Sequence, residues 1–287
     1  MRVGVVGHSG YDGLPELVQH LVAQAPRLGL SLSFEGSLLD LAGRGAAPLA
    51  PPGALDALLA FGGDGTLLRG ARLLDGAKAP VFGVNLGKLG FLTTCGAAEF
   101  VSLLPRFASG DFTAEERMTL ESRSHGADGS AGDRLRALND VVLHKGGFAR
   151  VLRLQVSVNG ERLGALAADG LVISTPTGST AYSLSAGGPI VEPTLASIVV
   201  TPVAAHALAI RPFILSPDAV IELQPDDAPE EILVTVDGQV GATLLHGHSL
   251  TVRRSADPVY IVRIDGASFF GRLRAKMGWG GLVGRDG

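Results

Sequence analysis

LLAFGGDGTLLRGARLL, residues 58–74, decides how the N-terminal part of this chain folds. Leu58 to Phe61 is a short apolar run, stopped at once by Gly62-Gly63-Asp64-Gly65-Thr66. Behind it Leu67, Leu68, Ala71 and Leu74 recur at helical spacing. A buried strand that passes through a glycine-rich loop into an amphipathic helix is the building unit of an open α/β sheet. Ligands of such sheets bind beyond the carboxyl ends of the strands, where helix N-termini offer unpaired N–H groups to anions. Glycines at 62, 63 and 65 permit close approach of a phosphate and positive φ. Asp64 is suited to accept a hydroxyl proton or to help hold a divalent cation. An ordinary Asp-Gly turn is the alternative. The lysine of G-x-x-x-x-G-K-[ST] is missing, so the loop is not a P-loop.

Working outward, Val3, Val5 and Val6 form another apolar run ending in Gly7-His8-Ser9-Gly10. Leu14, Leu17, Val18, Leu21, Val22 and Ala25 follow at helical spacing, and Pro80 to Asn85 reads as a further strand. Strands alternating with helices predict a parallel sheet covered by helices, an α/β domain over 1–111. From 112 the rhythm changes. Leu152, Leu154, Val156 and Val158 alternate with Arg153, Gln155 and Ser157, and Asn159-Gly160 is a two-residue hairpin signal. Glu231 to Val236, Ser249 to Arg254 and Val259 to Ile264 read as short strands, so 112–264 is predicted to be all-β, with Gly126 to Gly132 as a loop tip. Ser268 to Trp279, with Phe269, Phe270, Leu273 and Met277, looks helical again. It is predicted to pack back on the first domain, which 265–287 would then join.

Composition narrows the classes. Apolar residues make up 46% of 287, enough for a sizeable core, and a formal charge of −4 gives no basic footprint for nucleic acid. Cys95 is the single cysteine, so no internal disulfide forms and a reducing compartment fits. MRVGVVGHSG lacks the apolar stretch of a signal peptide. Ser197 to Leu215 is interrupted by Pro202, His206, Arg211 and Pro212, which argues against a membrane span. A soluble cytoplasmic protein is expected. No Cys/His cluster suits zinc, no G-x-S-x-G elbow is present, and His144 and His206 read as ordinary half-buried side chains.

A second cluster runs from Asp169 to Pro189, DGLVISTPTGSTAYSLSAGGP. An apolar strand enters a loop with seven Ser and Thr hydroxyls, suited to ribose and base, and Tyr182 adds a stacking face. A Ser/Thr turn capping the next helix would explain one or two of these hydroxyls but not seven. Asn139-Asp140 is a weaker signal. Asn can pair with an adenine edge and Asp can accept from ribose, yet the pair equally suits a turn before the strand at Val141.

Together these residues resemble the NAD kinase family. The glycine-rich loop alone has counterparts in diacylglycerol and sphingosine kinases, and the Asp169 to Pro189 run is what singles out NAD kinases. Supporting matches are Asn85-Leu86-Gly87-Lys88-Leu89-Gly90-Phe91-Leu92, Asn139-Asp140, Thr201-Pro202 with His206, Arg211-Pro212, and Asp237-Gly238-Gln239. The resemblance implies a Rossmann-like α/β domain and a β-sandwich-like domain, in a homodimer or homotetramer with active sites between domains. It implies Mg2+-dependent transfer of a phosphoryl group from ATP to the adenosine-ribose 2′-hydroxyl of NAD. Asp64 would accept the hydroxyl proton, with Gly62, Gly63, Gly65 and Thr66 along the phosphates and Arg69 as a nearby cation. Phe91 would lie beside the adenosine half, and Asn139 and Asp140 would hold ribose and adenine groups. Thr177, Thr180, Ala181, Tyr182, Ser183, Leu184 and Ser185 would line base and ribose, with Asp169, Arg150 and Gln239 as further dinucleotide contacts. One departure is Ala167, where many relatives carry Arg or Lys. Polyphosphate as donor and NADH as acceptor are equally compatible with these residues. A lipid kinase and a non-catalytic dinucleotide sensor are the rival readings.

Overall fold

Strands whose two faces are both covered need apolar residues at nearly every position, and Arg2–Gly7, Ala57–Gly62 and Val81–Asn85 meet that condition, with only Arg2 exposed. The computed structural model describes residues 1–88, 90–145, 151–207, 209–226, 232–264 and 268–278. It divides into two units, Met1–Glu116 with Val259–Gly287, and Arg117–Pro258.

In the first unit the strands run in the order Ala47–Pro48, Ser31–Phe34, Arg2–Gly7, Ala57–Gly62, Val81–Asn85, Val259–Arg263, Thr113–Arg117. Arg2–Gly7 pairs in parallel with Ser31–Phe34 on one side and with Ala57–Gly62 on the other. The strand order therefore reverses between Arg2–Gly7 and Ala57–Gly62, and the crevice of an open α/β sheet opens at that reversal. The loop after Gly62 sits there. Leu14–Gln24 and Asp64–Leu73 are the helices the spacing predicts. Ala97–Ser109, with Phe100, Leu104 and Phe107 buried, lies outside that reading. Phe100 is fully buried, its ring centroid 5.1 Å from that of Phe61 and 6.0 Å from that of Phe82.

Both predicted domain boundaries move. Val259–Arg263, assigned above to the β domain, enters the first sheet with Ile261 parallel to Val81. Its consecutive Ile261 and Val262 are both buried, as a doubly covered strand requires. Thr113–Arg117, TAEER, follows it at the sheet edge, with Glu116 exposed and Arg117 buried. Helix Phe269–Met277 belongs to this unit, capped by Ser268, whose Oγ accepts the Gly271 N–H. Its buried side chains are Arg272 and Leu273, whereas Phe270 and Met277 are exposed.

The second unit is antiparallel. One sheet runs Phe213–Leu215, Ile198–Val203, Gly170–Ser174, Asp140–Lys145, Ile232–Val236, Val240–Leu244. The other runs Glu161–Ala168, Leu152–Val158, Ile221–Pro225, Ser249–Arg254, Leu120–His125, Ala131–Ala137. Leu143, Leu171, Ile173 and Val234 of the first share one core with Leu154, Ile221, Leu223 and Leu250 of the second. Asn159 and Gly160 turn the Leu152–Val158 hairpin with φ of 53° and 78°, as a two-residue loop of that twist demands.

Replacing Phe100 by Ala removes the ring between Phe61 and Phe82 and is expected to lower stability by about 3–5 kcal/mol. Urea unfolding of wild type and variant measures it; a loss under about 1 kcal/mol would contradict this packing.

Candidate active site

Asp64 opens helix Asp64–Leu73, and its carboxylate is held from one side by a single loop. The N–H of Phe91 donates to Oδ2 at 2.8 Å, and the N–H groups of Leu92 and Thr93 donate to Oδ1 at 3.0 and 3.4 Å. Successive backbone N–H groups in irregular backbone form a concavity for an anion, and here the anion is the protein's own. A carboxylate has about four acceptor positions, and among the described residues one N–H reaches Oδ2 and two reach Oδ1. Gly90 completes the cradle: a Cβ there would meet Asp64 Oδ1 at 2.0 Å.

The three loop glycines differ in purpose. None of Gly62, Gly63 and Gly65 has positive φ, so the conformational argument for them fails. Gly62 is needed because a Cβ would lie 2.2 Å from Oγ1 of the buried Thr66, whereas a Cβ at Gly63 would meet only the Tyr11 hydroxyl, at 3.5 Å. Arg69 is engaged internally, with Nη1 on Glu35 Oε1 and Nη2 donating to Gly7 O at 2.7 Å. Its charge therefore fastens the switch-point strand to the helix. Phe91 packs near Phe269, centroids 6.3 Å apart, with Lys276 Nζ 4.6 Å from its ring centre. Burial, with Glu99 nearby, pushes the Cys95 thiol up to about 12, which leaves it an inert core residue.

In the second unit the same device recurs. Asp237 Oδ1 accepts from the N–H groups of Asn139 at 2.7 Å and Asp140 at 3.2 Å, and Oδ2 from that of Leu138 at 3.0 Å. On the carbonyl side Thr175 Oγ1 donates to Leu138 O at 2.6 Å and the Thr175 N–H to Asn139 O at 2.9 Å. Gly178 must be glycine, since a Cβ would lie 2.1 Å from Asn139 O. Thus pinned, Asn139 presents a buried Oδ1 with no hydrogen-bond partner among the described residues. Such an acceptor is costly unless something else satisfies it. The turn alternative for Asn139-Asp140 explains its backbone but not this atom.

Five of the seven hydroxyls have partners within the protein. Thr175 is used as just described. Ser179 Oγ donates to Pro176 O at 2.7 Å and accepts the Val191 N–H at 3.0 Å. Ser183, predicted among the dinucleotide contacts, is fully buried with its hydroxyl 2.8 Å from Thr201 Oγ1. Thr180 Oγ1 donates to Thr177 O, and Thr177 Oγ1 accepts from buried Arg117 at 3.4 Å. These groups hold the loop to itself and to its neighbours in the unit, because a buried irregular backbone needs internal partners. The accessible edge consists of Thr180, Ala181, Tyr182, Leu184 and Ser185. Tyr182 stacks on His144 at 6.1 Å with 19° between rings, and burial holds His144 below its usual value.

Asp169 pairs with Lys145 Nζ at 2.9 Å, and that hydrogen bond and charge, with a smaller effect of His206, hold its carboxyl below the usual range. A cation thus stands on Asp169 although Ala167 supplies none. Gln239 is exposed beside the Asp237 turn, and Arg150 lies outside the described residues. Arg272, Arg263 and the positioning work of Asp237 are absent from the sequence reading; only Asp237 left a signal, as the head of an Asp-Gly turn.

A carboxylate caged at the switch point of an α/β sheet suits a phosphoryl-transfer enzyme, and in the other unit an amide oxygen without a partner among the described residues suits a nucleotide. Residues 48–112 match the model of the ATP-NAD kinase N-terminal domain, and 138–264 that of the ATP-NAD kinase C-terminal domain. The NAD kinase of Gemmatimonas aurantiaca is 58% identical over 287 residues, covering 100% of this chain and 99% of that one. The NAD kinase of Syntrophotalea carbinolica is 38% identical, covering 97% and 99%. Among solved structures, yeast NADH kinase complexed with NADH has a TM-score of 0.88 at 25% identity, covering 98% of this chain and 88% of that one. The Archaeoglobus fulgidus NAD kinase in complex with ATP has 0.76 at 25%, covering 96% and 99%. The chain belongs to the NAD kinase family.

Burial, and then the neighbouring Asp237, push Asp140 up to about 7. Because the folded value lies above the unfolded one, the stability this group contributes is full below about pH 4 and is lost as pH rises through about 7. Asp140→Asn does not titrate, so its melting temperature relative to wild type should rise between about pH 5 and pH 8. Scanning calorimetry at both pH values decides it; an unchanged difference would contradict the buried pair.

Proposed function

We propose that Asp64 accepts the proton of the attacking hydroxyl at Oδ2 while transfer from donor to acceptor takes place. As a member of its family the chain is a phosphotransferase that makes NADP from NAD and ATP. In the step proposed, the adenosine-ribose 2′-oxygen bonds to the γ-phosphorus as the bond from that phosphorus to the β,γ-bridging oxygen breaks. ADP leaves, and the 2′-hydroxyl proton passes to Oδ2. The observation that carries this is a carboxylate at the switch point fixed by three backbone N–H groups, of which, among the described residues, only one donates to Oδ2. Phosphoryl transfer asks mainly for placement and charge neutralisation, and a pinned carboxylate supplies placement.

Asn139, with its orphan Oδ1, suits an adenine edge. Tyr182 offers an exposed ring in the same unit, with Ser185 as an exposed hydroxyl for ribose. Among the described residues no three His, Cys, Asp or Glu side chains converge to hold a metal ion. Mg2+ carried by the donor's own phosphates, as the family resemblance implies, would neutralise their charge. Homodimeric or homotetrameric assembly and a cytoplasmic setting are proposed from the family resemblance and from a composition with one cysteine.

Asp64→Asn is expected to lower turnover by about 10²–10⁴-fold. NADP+ formation from NAD+, ATP and Mg2+, coupled to an NADP-specific dehydrogenase, reads it directly. Near-normal turnover in the variant would remove Asp64 from the proton step.

A further inference from the structure

Each amide that donates to Asp64 belongs to a peptide group whose carbonyl faces the other way, and each of those carbonyls meets a guanidinium. Gly90 O shares its peptide with the Phe91 N–H and accepts from Arg272 Nη1 at 3.4 Å. Phe91 O shares its peptide with the Leu92 N–H and accepts from the same nitrogen at 3.2 Å. Leu92 O shares its peptide with the Thr93 N–H and accepts from Arg263 Nη1 at 3.0 Å. Thr93 O also receives Arg272 Nη1, and Thr94 O receives Nη2 at 3.3 Å. Arg272 is 4% exposed. Arg263 is anchored in turn by Glu115, at 2.8 Å.

We infer that Arg272 is a positioning residue for phosphoryl transfer: from helix Phe269–Met277 it fixes the peptide groups of residues 90–93 whose N–H groups aim the Asp64 carboxylate. This rests on the reading of Asp64 as proton acceptor. The planar fork of a guanidinium reaches several carbonyls at once, which an ammonium does less well. A peptide that accepts from a cation and donates to an anion is polarised in the direction that strengthens both hydrogen bonds. Without Arg272, the first two peptides lose their backing while the third keeps Arg263. The carboxylate can then tilt, and Oδ2, which leans on the Phe91 N–H alone, loses its aim first.

The test is a double-mutant cycle on the full-length enzyme. Arg272→Met, Arg272→Lys, Asp64→Asn and the combined variants are compared for kcat, for KM of NAD and ATP, and for melting temperature. Misplacement by about 1 Å can cost about 10²-fold, so Arg272→Met should lower kcat by that order with KM little changed, and Arg272→Lys should recover part of it. In the Asp64→Asn background, Arg272→Met should change the residual kcat by less than about twofold, because no proton acceptor is left to aim. The same fold-loss in both backgrounds, or an unchanged kcat in the Asp64 background, overturns the inference. Should Arg272→Met not fold, the cycle with Arg272→Lys carries the same comparison. Full turnover of Asp64→Asn alone would instead defeat the reading of Asp64, a result distinct from additivity.

Discussion

Three consecutive amide N–H groups pointing at one carboxylate is a demanding geometry, and the first unit is organised around it. In a strand successive N–H groups alternate sides, and in a helix they all point along the axis into the preceding turn. Residues 91–93 therefore have to abandon regular structure, and their carbonyls have to be satisfied by something other than a ladder. Hydrogen bonds to a charged partner contribute about 1.5–3 kcal/mol each in favourable geometry, enough to hold irregular backbone whose ordering opposes it. Asp64 supplies the partner on one side and Arg272 and Arg263 supply it on the other. Gly90 is fixed by the same geometry, since any side chain there would occupy the space of the carboxylate.

Leu138, Asn139 and Asp140 repeat the arrangement around Asp237, with one difference that has electrostatic consequences. The carbonyl side is met by the hydroxyl and amide of Thr175, both neutral. Asp140 then lies buried near a second carboxylate, and its own carboxyl is pushed up toward neutrality. An anion-centred cage backed by cations tolerates further negative charge nearby; one backed by neutral groups resists it. Both cages serve the same end, which is to present a polar atom, Oδ2 of Asp64 or Oδ1 of Asn139, with an acceptor position left over.

What was legible in the sequence follows from the range over which each signal acts. The strand, loop and helix at 58–74 are local, and the switch-point placement of Asp64 follows from them. The hairpin at Asn159-Gly160 is equally local, because φ at two residues decides it. The hydroxyl count misled because Ser and Thr serve irregular backbone as readily as ligands: Ser179 is occupied by the loop itself and Ser183 by Thr201 of the neighbouring strand. Val259–Arg263 was misassigned because a five-residue apolar run does not say which sheet receives it. Arg272 was illegible for a stronger reason. In the sequence it is one basic residue of a short amphipathic helix, and 179 residues separate it from the carbonyl of Thr93 that it binds.

That separation bears on how the site comes together. The glycine-rich loop, its strand and its helix can form from local contacts, and Asp64 is then already at a helix N-terminus. The aim of its carboxylate waits for Val259–Arg263 to enter the sheet beside Val81–Asn85 and for helix Phe269–Met277 to bring Arg272 under the 90–94 carbonyls. Contacts so distant along the chain form late, since loop closure has to precede the bonds that compensate it. The whole of Arg117–Pro258 lies between the two parts of the first unit. The Asp64 carboxylate, oriented from the far end of the chain, is thereby fixed only when the intervening β unit has let the strand return, which ties its aim to the folding of both units.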